Sequence, residues 1–306
     1  MYRVKILMII GTLLFTPISF LKAQEFTVGK PLGAINETGN FIPMSSNVTV
    51  YGSFHFAESC TFDPQRNLIL AMNRGNSNEL PDNDGYVSLI NPNGSVHTTK
   101  WIGSSRDGLE LHDPIGSVLS NGILYTADNG SRHVRSFDLE TGKPLQSISI
   151  PGNGFINGIA ATAEGMVYLS DSRAGLVYEI TVDGNVSIFA EGKSLSSPNG
   201  VAIDNEGNIV VVNMGNSAVT TFDPSGIIVK TENASEGGGD GVVVLKDGTK
   251  YVSSVRYGSV SKIDKDGNSE IIAQGIPNAA SMCYDSIQNQ LVIPMNPHYA
   301  LAFIKL

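Results

Sequence analysis

The chain of 306 residues is 41% hydrophobic and 16% charged, apolar enough to build a core and too poor in charge for a disordered protein. A net charge of −9, with no Lys/Arg cluster and no RNA-binding signature, excludes the basic footprint of a nucleic-acid binder. With only Cys60 and Cys283, a disulfide-built scaffold is excluded too, and stability must come from apolar burial.

In chain order, the first segment is read as an export signal. Residues 1–5 carry two positive charges, Ile6 to Leu21 is an apolar core, and Ala23 precedes Gln24. The rival reading, an uncleaved anchor, is disfavoured by Gly11, Thr12, Thr16, Pro17 and Ser19, which interrupt a stretch already short for a stable span. The expectation is a signal peptide over 1–23, a mature chain starting at Gln24, an N-terminal arm over 24–46, a domain over 47–306, and a periplasmic or secreted location.

Three later stretches register without a gap: NGIAATAEGMVYLSD from Asn157, NGVAIDNEGNIVVVN from Asn199 and DGVVVLKDGTKYVSS from Asp240. Their starts are 42 and 41 residues apart, and each continues into further short Val/Ile/Tyr-rich runs punctuated by Asn-Gly, Glu-Gly or Asp-Gly. A period near forty built of four short strands predicts a β-propeller. Leucine-rich solenoids would need a Leu-x-x-Leu-x-Leu pattern, and helical repeats far fewer Gly. Further copies are recognisable from Glu58, Pro114 and Ala279, giving six blades. The last copy offers only three strands, so Asn47 to Gly52 is expected to supply the fourth. The fold class is therefore all-β: a six-bladed β-propeller closed by an N-terminal strand, monomeric because a closed ring hides its own edges.

Aligned on the repeat, one column holds Glu58, Ile115, Asn157, Asn199, Asp240 and Ala280. First strands of propeller blades line the central channel, so these six residues are expected to form a ring about one axis. Two carboxylates and two amides offer only oxygen donors and a charge of −2, a set suited to one hard divalent cation: Ca²⁺ in the first place, with Mg²⁺, Mn²⁺ or Zn²⁺ as alternatives. Simple turn chemistry is the competing explanation for Asn157, Asn199 and Asp240, each followed by Gly, but it does not account for Glu58, followed by Ser59.

This column, Glu in the first blade and then Asn, Asn and Asp at blade spacing, resembles the senescence-marker protein/gluconolactonase family, which includes regucalcin-like proteins. SPNGVAIDNEGNIVVV and GDGVVVLKDG are the most similar stretches, and the block from His112 also resembles NHL repeats. The resemblance implies that Glu58, Asn199 and Asp240 bind the metal, that Asp240 doubles as general base, and that Asn157 touches substrate. It implies a lactone or ester as substrate. Three positions depart from the family pattern: Phe155 stands where an Arg commonly holds the substrate, Gly158 stands where an Asp often follows the Asn, and ESCTF replaces Glu-Gly-Pro-aromatic. Phe155 is expected to line the pocket and make a polyhydroxylated sugar lactone a poorer fit. The alternative to an enzyme is a non-catalytic, NHL-like propeller that binds a ligand or protein at the channel mouth.

The five histidines have no metal-ligand spacing, which argues against a His-based zinc site. His55 and His112 are placed to rim the channel, and His112 is a candidate substrate contact. Asp128, Asp171 and Asn213 end the second strands, where turn and inter-blade hydrogen bonds explain them. Arg106, Asp107 and Glu110 are read as a solvated link. Cys60 and Cys283 are expected to face opposite ways as two free thiols.

Overall fold

The computed structural model describes residues 33–35, 41–43, 48–52, 54–76, 79–103 and 108–306, with side chains from Phe54 onward. The expected signal peptide and cleavage point lie outside these residues, as do Arg106 and Asp107. Among the described residues, twenty-four strands form six four-stranded antiparallel sheets. A separate two-stranded ribbon, Gly33–Ile35 with Phe41–Pro43, lies in the N-terminal arm.

Five blades run in simple order from the inner to the outer strand, and their inner strands are Ala57–Asp63, Pro114–Ser120, Ile156–Ala161, Pro198–Ile203 and Gly239–Val244. The sixth blade holds Cys283–Asp285, Gln290–Met295 and Ala300–Lys305, with Val48–Gly52 antiparallel to the last of these. Each inner strand contacts the inner strands of the blades on either side, and the contact between the sixth blade and the first completes the circle. Second strands are buried along their length, as in Ile209–Asn213, whereas outer strands such as Ile228–Asn233 face solvent over most of theirs. That gradient follows the sequence, because Val/Ile runs fill the second strands and Lys, Glu and Thr enter the outer ones.

The core is divided rather than continuous. Six apolar clusters each fill the wedge between two neighbouring blades, such as Val210, Val212, Val219, Val242, Val252 and Ile263 between the fourth and fifth. Cys60 and Cys283 share the wedge between the sixth and first blades, both free and buried. The expectation that they face apart is therefore corrected. Alternation of side chains holds within one sheet, but these two strands belong to different sheets meeting at an angle, with Ser59 bridged to Ser281 in parallel.

Five of the six column residues sit at an irregularity of their inner strand, and Ala280 precedes the strand Cys283–Asp285. Pairing with the second strand jumps from Ile156 to Ile159, from Pro198 to Val201 and from Gly239 to Val242, so Asn157-Gly158, Asn199-Gly200 and Asp240-Gly241 occupy bulges. Bulges re-aim a side chain, which here breaks the strand's alternation at the position that must face the axis. The turn explanation for these Asn-Gly and Asp-Gly pairs is thereby replaced. None of the three glycines has a positive φ. A Cβ on Gly158 would instead collide with the Asn199 carbonyl, and one on Gly200 would lie 2.5 Å from that of Asp240. Glycine is required because adjacent blades touch backbone to backbone.

Candidate active site at the channel mouth

At one end of the channel the bulges bring Glu58, Asn157, Asn199 and Asp240 together, all at least 95% buried. Asn199 donates its amide to Asp240 Oδ2 at 3.2 Å, and Ser281 donates its hydroxyl to Asp240 Oδ1 at 3.0 Å. Asn157 donates to Ser172 Oγ at 3.3 Å, and that hydroxyl is itself fixed on the Pro198 carbonyl at 2.6 Å. Both amide nitrogens are thus committed, while Asn157 Oδ1 and Asn199 Oδ1 are buried without any partner. A buried unpaired acceptor costs about 1–3 kcal/mol, and two of them beside two carboxylates make an oxygen-donor set whose chemistry fits a hard cation. Among the described residues no three His, Cys, Asp or Glu side chains converge; the ring reaches its donor number through amides.

The carboxylates are perturbed as crowded acids are. Burial lifts the Glu58 carboxyl to about 6, against the opposing pull of Arg74. Burial lifts Asp240 well above the usual carboxylate range, and the nearby charge of Glu58 adds to the effect.

A second row surrounds the first. The residue after each second strand is Arg74, Asn129, Ser172, Met214, Val255 or Asn296. In five blades the backbone N–H of this residue donates to the residue two before the ring position, as in Arg74 to Phe56 and Ser172 to Phe155. Arg74 lies over the ring site. It donates through Nε and Nη2 to both oxygens of Asp113 at 2.6 and 3.0 Å, and its Nη1 stands 3.6 Å from Glu58 Oε2. Asn296 donates to the same Glu58 oxygen. The Arg74 guanidinium also faces the rings of Phe56 at 5.0 Å and Phe155 at 5.9 Å, and Arg173 approaches Phe155 at 5.6 Å. Phe155 is half-buried at the mouth, its N–H donating to Asp171 Oδ1 at 2.7 Å.

His112 is engaged through one ring nitrogen. Its Nδ1 accepts the Asn83 N–H at 2.8 Å, and its own backbone N–H donates to Asp128, so it pins the loop entering the third strand of the first blade. His112 thus anchors this loop through Nδ1, which leaves Nε2 for the expected substrate contact. His55 stacks on Tyr299. Asp128, Asp171 and Asn213 make the turn and inter-blade hydrogen bonds expected of them. Glu110 is exposed and pairs with Arg135 at 3.4 Å.

A family model described as the SMP-30/Gluconolactonase/LRE-like region matches residues 59–233, more than half of the chain. The chain belongs to this family. Solved structures bear out the fold. A gluconolactonase of Xanthomonas campestris superposes with TM-score 0.64 at 17% identity, covering 85% of this chain and 90% of its own. A putative gluconolactonase superposes with TM-score 0.65 at 15% identity, over 90% and 97%. The virginiamycin B lyase of Staphylococcus aureus, a protein of different activity, superposes with TM-score 0.59 at 12% identity, over 85% and 99%. Among curated protein sequences none matches the chain.

The repeat makes the ring column legible in the sequence and leaves the second row unread. Arg74, Ser172 and Asn296 occupy one repeat position, directly after Asn73, Asp171 and Met295, which end their second strands. Reading that column as the first was read would have placed a buried Arg beside Glu58.

Proposed function

We propose that the protein is a metal-dependent hydrolase of a lactone or related ester, with one divalent cation, Ca²⁺ by preference, held by Glu58, Asn199 and Asp240. The observation that carries this reading is the pair of buried, partnerless oxygens, Asn157 Oδ1 and Asn199 Oδ1, beside two buried carboxylates. A bound divalent ion would supply Lewis-acid polarisation of the ester carbonyl. Asp240 takes the proton of the attacking water, a task that a carboxylate can perform and the neighbouring amides cannot. Ser281 and Asn199 hold that carboxylate in one orientation. Asn157, locked through Ser172, orients the incoming group. Phe155 and Phe56 give the mouth an apolar wall, which favours lactones with few hydroxyls.

The Arg74–Glu58 ion pair favours a second reading, a non-catalytic propeller binding a ligand at the mouth, because it gives Glu58 a counter-charge without metal. A screen of lactones and aryl esters with Ca²⁺, Mg²⁺, Mn²⁺ or Zn²⁺ separates the two. Hydrolysis that needs added metal supports the enzyme, and no turnover with any of the four leaves the binding module. We further infer that the chain is exported and monomeric, that its mature form begins at Gln24, and that the Val48–Gly52 strand closes the ring. Intact mass of the exported protein tests the start, and a species retaining residues 1–23 in membranes contradicts it.

A further inference from the structure

We propose that Arg74 is a built-in cation that shares Glu58 with the divalent ion and so sets how tightly the ring holds it. The inference rests on the metal reading above and goes beyond it, because it concerns a residue outside the ring. Of the six residues in its row, Arg74 alone is charged; its equivalents are Asn129, Ser172, Met214, Val255 and Asn296. Its side chain is 9% exposed and cannot swing aside cheaply, since both Asp113 oxygens grip it and the Phe56 ring covers it. The guanidinium is therefore a fixed charge.

Geometry decides which way that charge acts. Nε and Nη2 are spent on Asp113, whereas Nη1 faces Glu58 at 3.6 Å, so the guanidinium stands between the two carboxylates. Glu58 meets the cation before it meets the second acid. With Asn296 donating to the same Glu58 oxygen, one ring carboxylate is substantially satisfied before any ion arrives. A divalent cation on the axis must bind with a positive neighbour in place, in a buried setting where such repulsion is weakly screened. The consequence is a site that keeps its carboxylates folded without metal and holds the ion more loosely than its four oxygen donors alone would.

The sign of this effect makes it testable, because deleting a polar residue at the site should tighten binding. Calorimetric titration of chelator-stripped protein with Ca²⁺ alone, and separately with Mg²⁺ alone, would compare wild type with Arg74→Met, Arg74→Lys and the double variant Arg74→Met/Asp113→Asn. The expected result is a Ca²⁺ Kd about tenfold lower for Arg74→Met, lower by a smaller factor for the double variant, and within about twofold of wild type for Arg74→Lys, which keeps the charge. The double variant spares Asp113 an unpaired charge, leaves Glu58 free for the ion, and decides the matter if Arg74→Met does not fold. Folded charge-removing variants that bind Ca²⁺ no more tightly than wild type would overturn the inference and leave the metal reading standing. Absence of Ca²⁺ and Mg²⁺ binding in wild type and all variants would overturn both.

Discussion

In the proposed mechanism Asp240 and Asn199 divide the chemistry according to what each side chain can do. A carboxylate can bind a cation and take a proton; an amide can only bind and orient. Replacing Asp240 by Asn keeps an oxygen donor and removes the base, so turnover should fall at least about a hundredfold, within the usual worth of general acid–base catalysis. Steady-state kinetics on any lactone the wild type accepts checks this, and an Asp240→Asn variant as fast as wild type would remove Asp240 from the role. Phe155 makes a sharper case. Restoring the Arg common in the family would place a third guanidinium beside Arg74 and Arg173, which already stand within 6 Å of the Phe155 ring. Phe155→Arg is therefore expected to lower the melting temperature without raising turnover of sugar lactones. A gain of at least about tenfold in their kcat/KM would show that the position is still open to its family role.

Among the strands, the bulge with its glycine is the device that turns one side chain out of the alternation and toward the axis. Gly158→Ala pushes a methyl group into the Asn199 carbonyl, a contact between two backbones that no rotamer relieves. The expected cost is about 3 kcal/mol or more, read by denaturant unfolding, and a loss under about 1 kcal/mol would contradict the packing described. The sequence showed these Asn-Gly pairs but not their setting, because Asn-Gly signals a hairpin equally well and only the neighbouring blade distinguishes the two. A second inter-blade tie is invisible to periodicity. Glu232 on the outer strand of the fourth blade is buried between Lys230 at 2.7 Å and Lys250 of the fifth blade at 2.9 Å. Burial pushes its carboxyl upward, but the two lysines outweigh that and hold it below its ordinary value. A depressed folded value means that the stabilisation is present above the ordinary carboxylate range and is lost as pH falls through the folded value. Lys250→Met should cost about 2 kcal/mol at pH 7, less than the ~3–5 of a fully broken buried pair because Lys230 remains, and the difference should shrink in acid. A pH-independent difference would point to packing alone.

For the whole molecule, the repeat of about forty residues made the six blades and the ring column legible, since every blade must present the same position to one axis. What stayed illegible came from contacts between repeats that no single repeat encodes: the Arg74–Asp113 fork, the His112 loop anchor and the thiols sharing one wedge. In the closure proposed above, Val48–Gly52 pairs with Ala300–Lys305 and joins the two ends of the domain. A chain beginning after Gly52 should therefore expose the edge of the sixth blade and aggregate or unfold, whereas one beginning at Gln24 should melt as the full chain does. Circular dichroism and size-exclusion chromatography distinguish these outcomes. The axis of the ring carries the central claim, and elemental analysis of protein purified without chelator tests it most directly. The account predicts close to one divalent ion per chain in wild type, lost on replacing Asn199 by Ala, and a melting temperature that chelator lowers and Ca²⁺ restores. Wild-type protein with no divalent metal and a melt indifferent to both chelator and Ca²⁺ would contradict it.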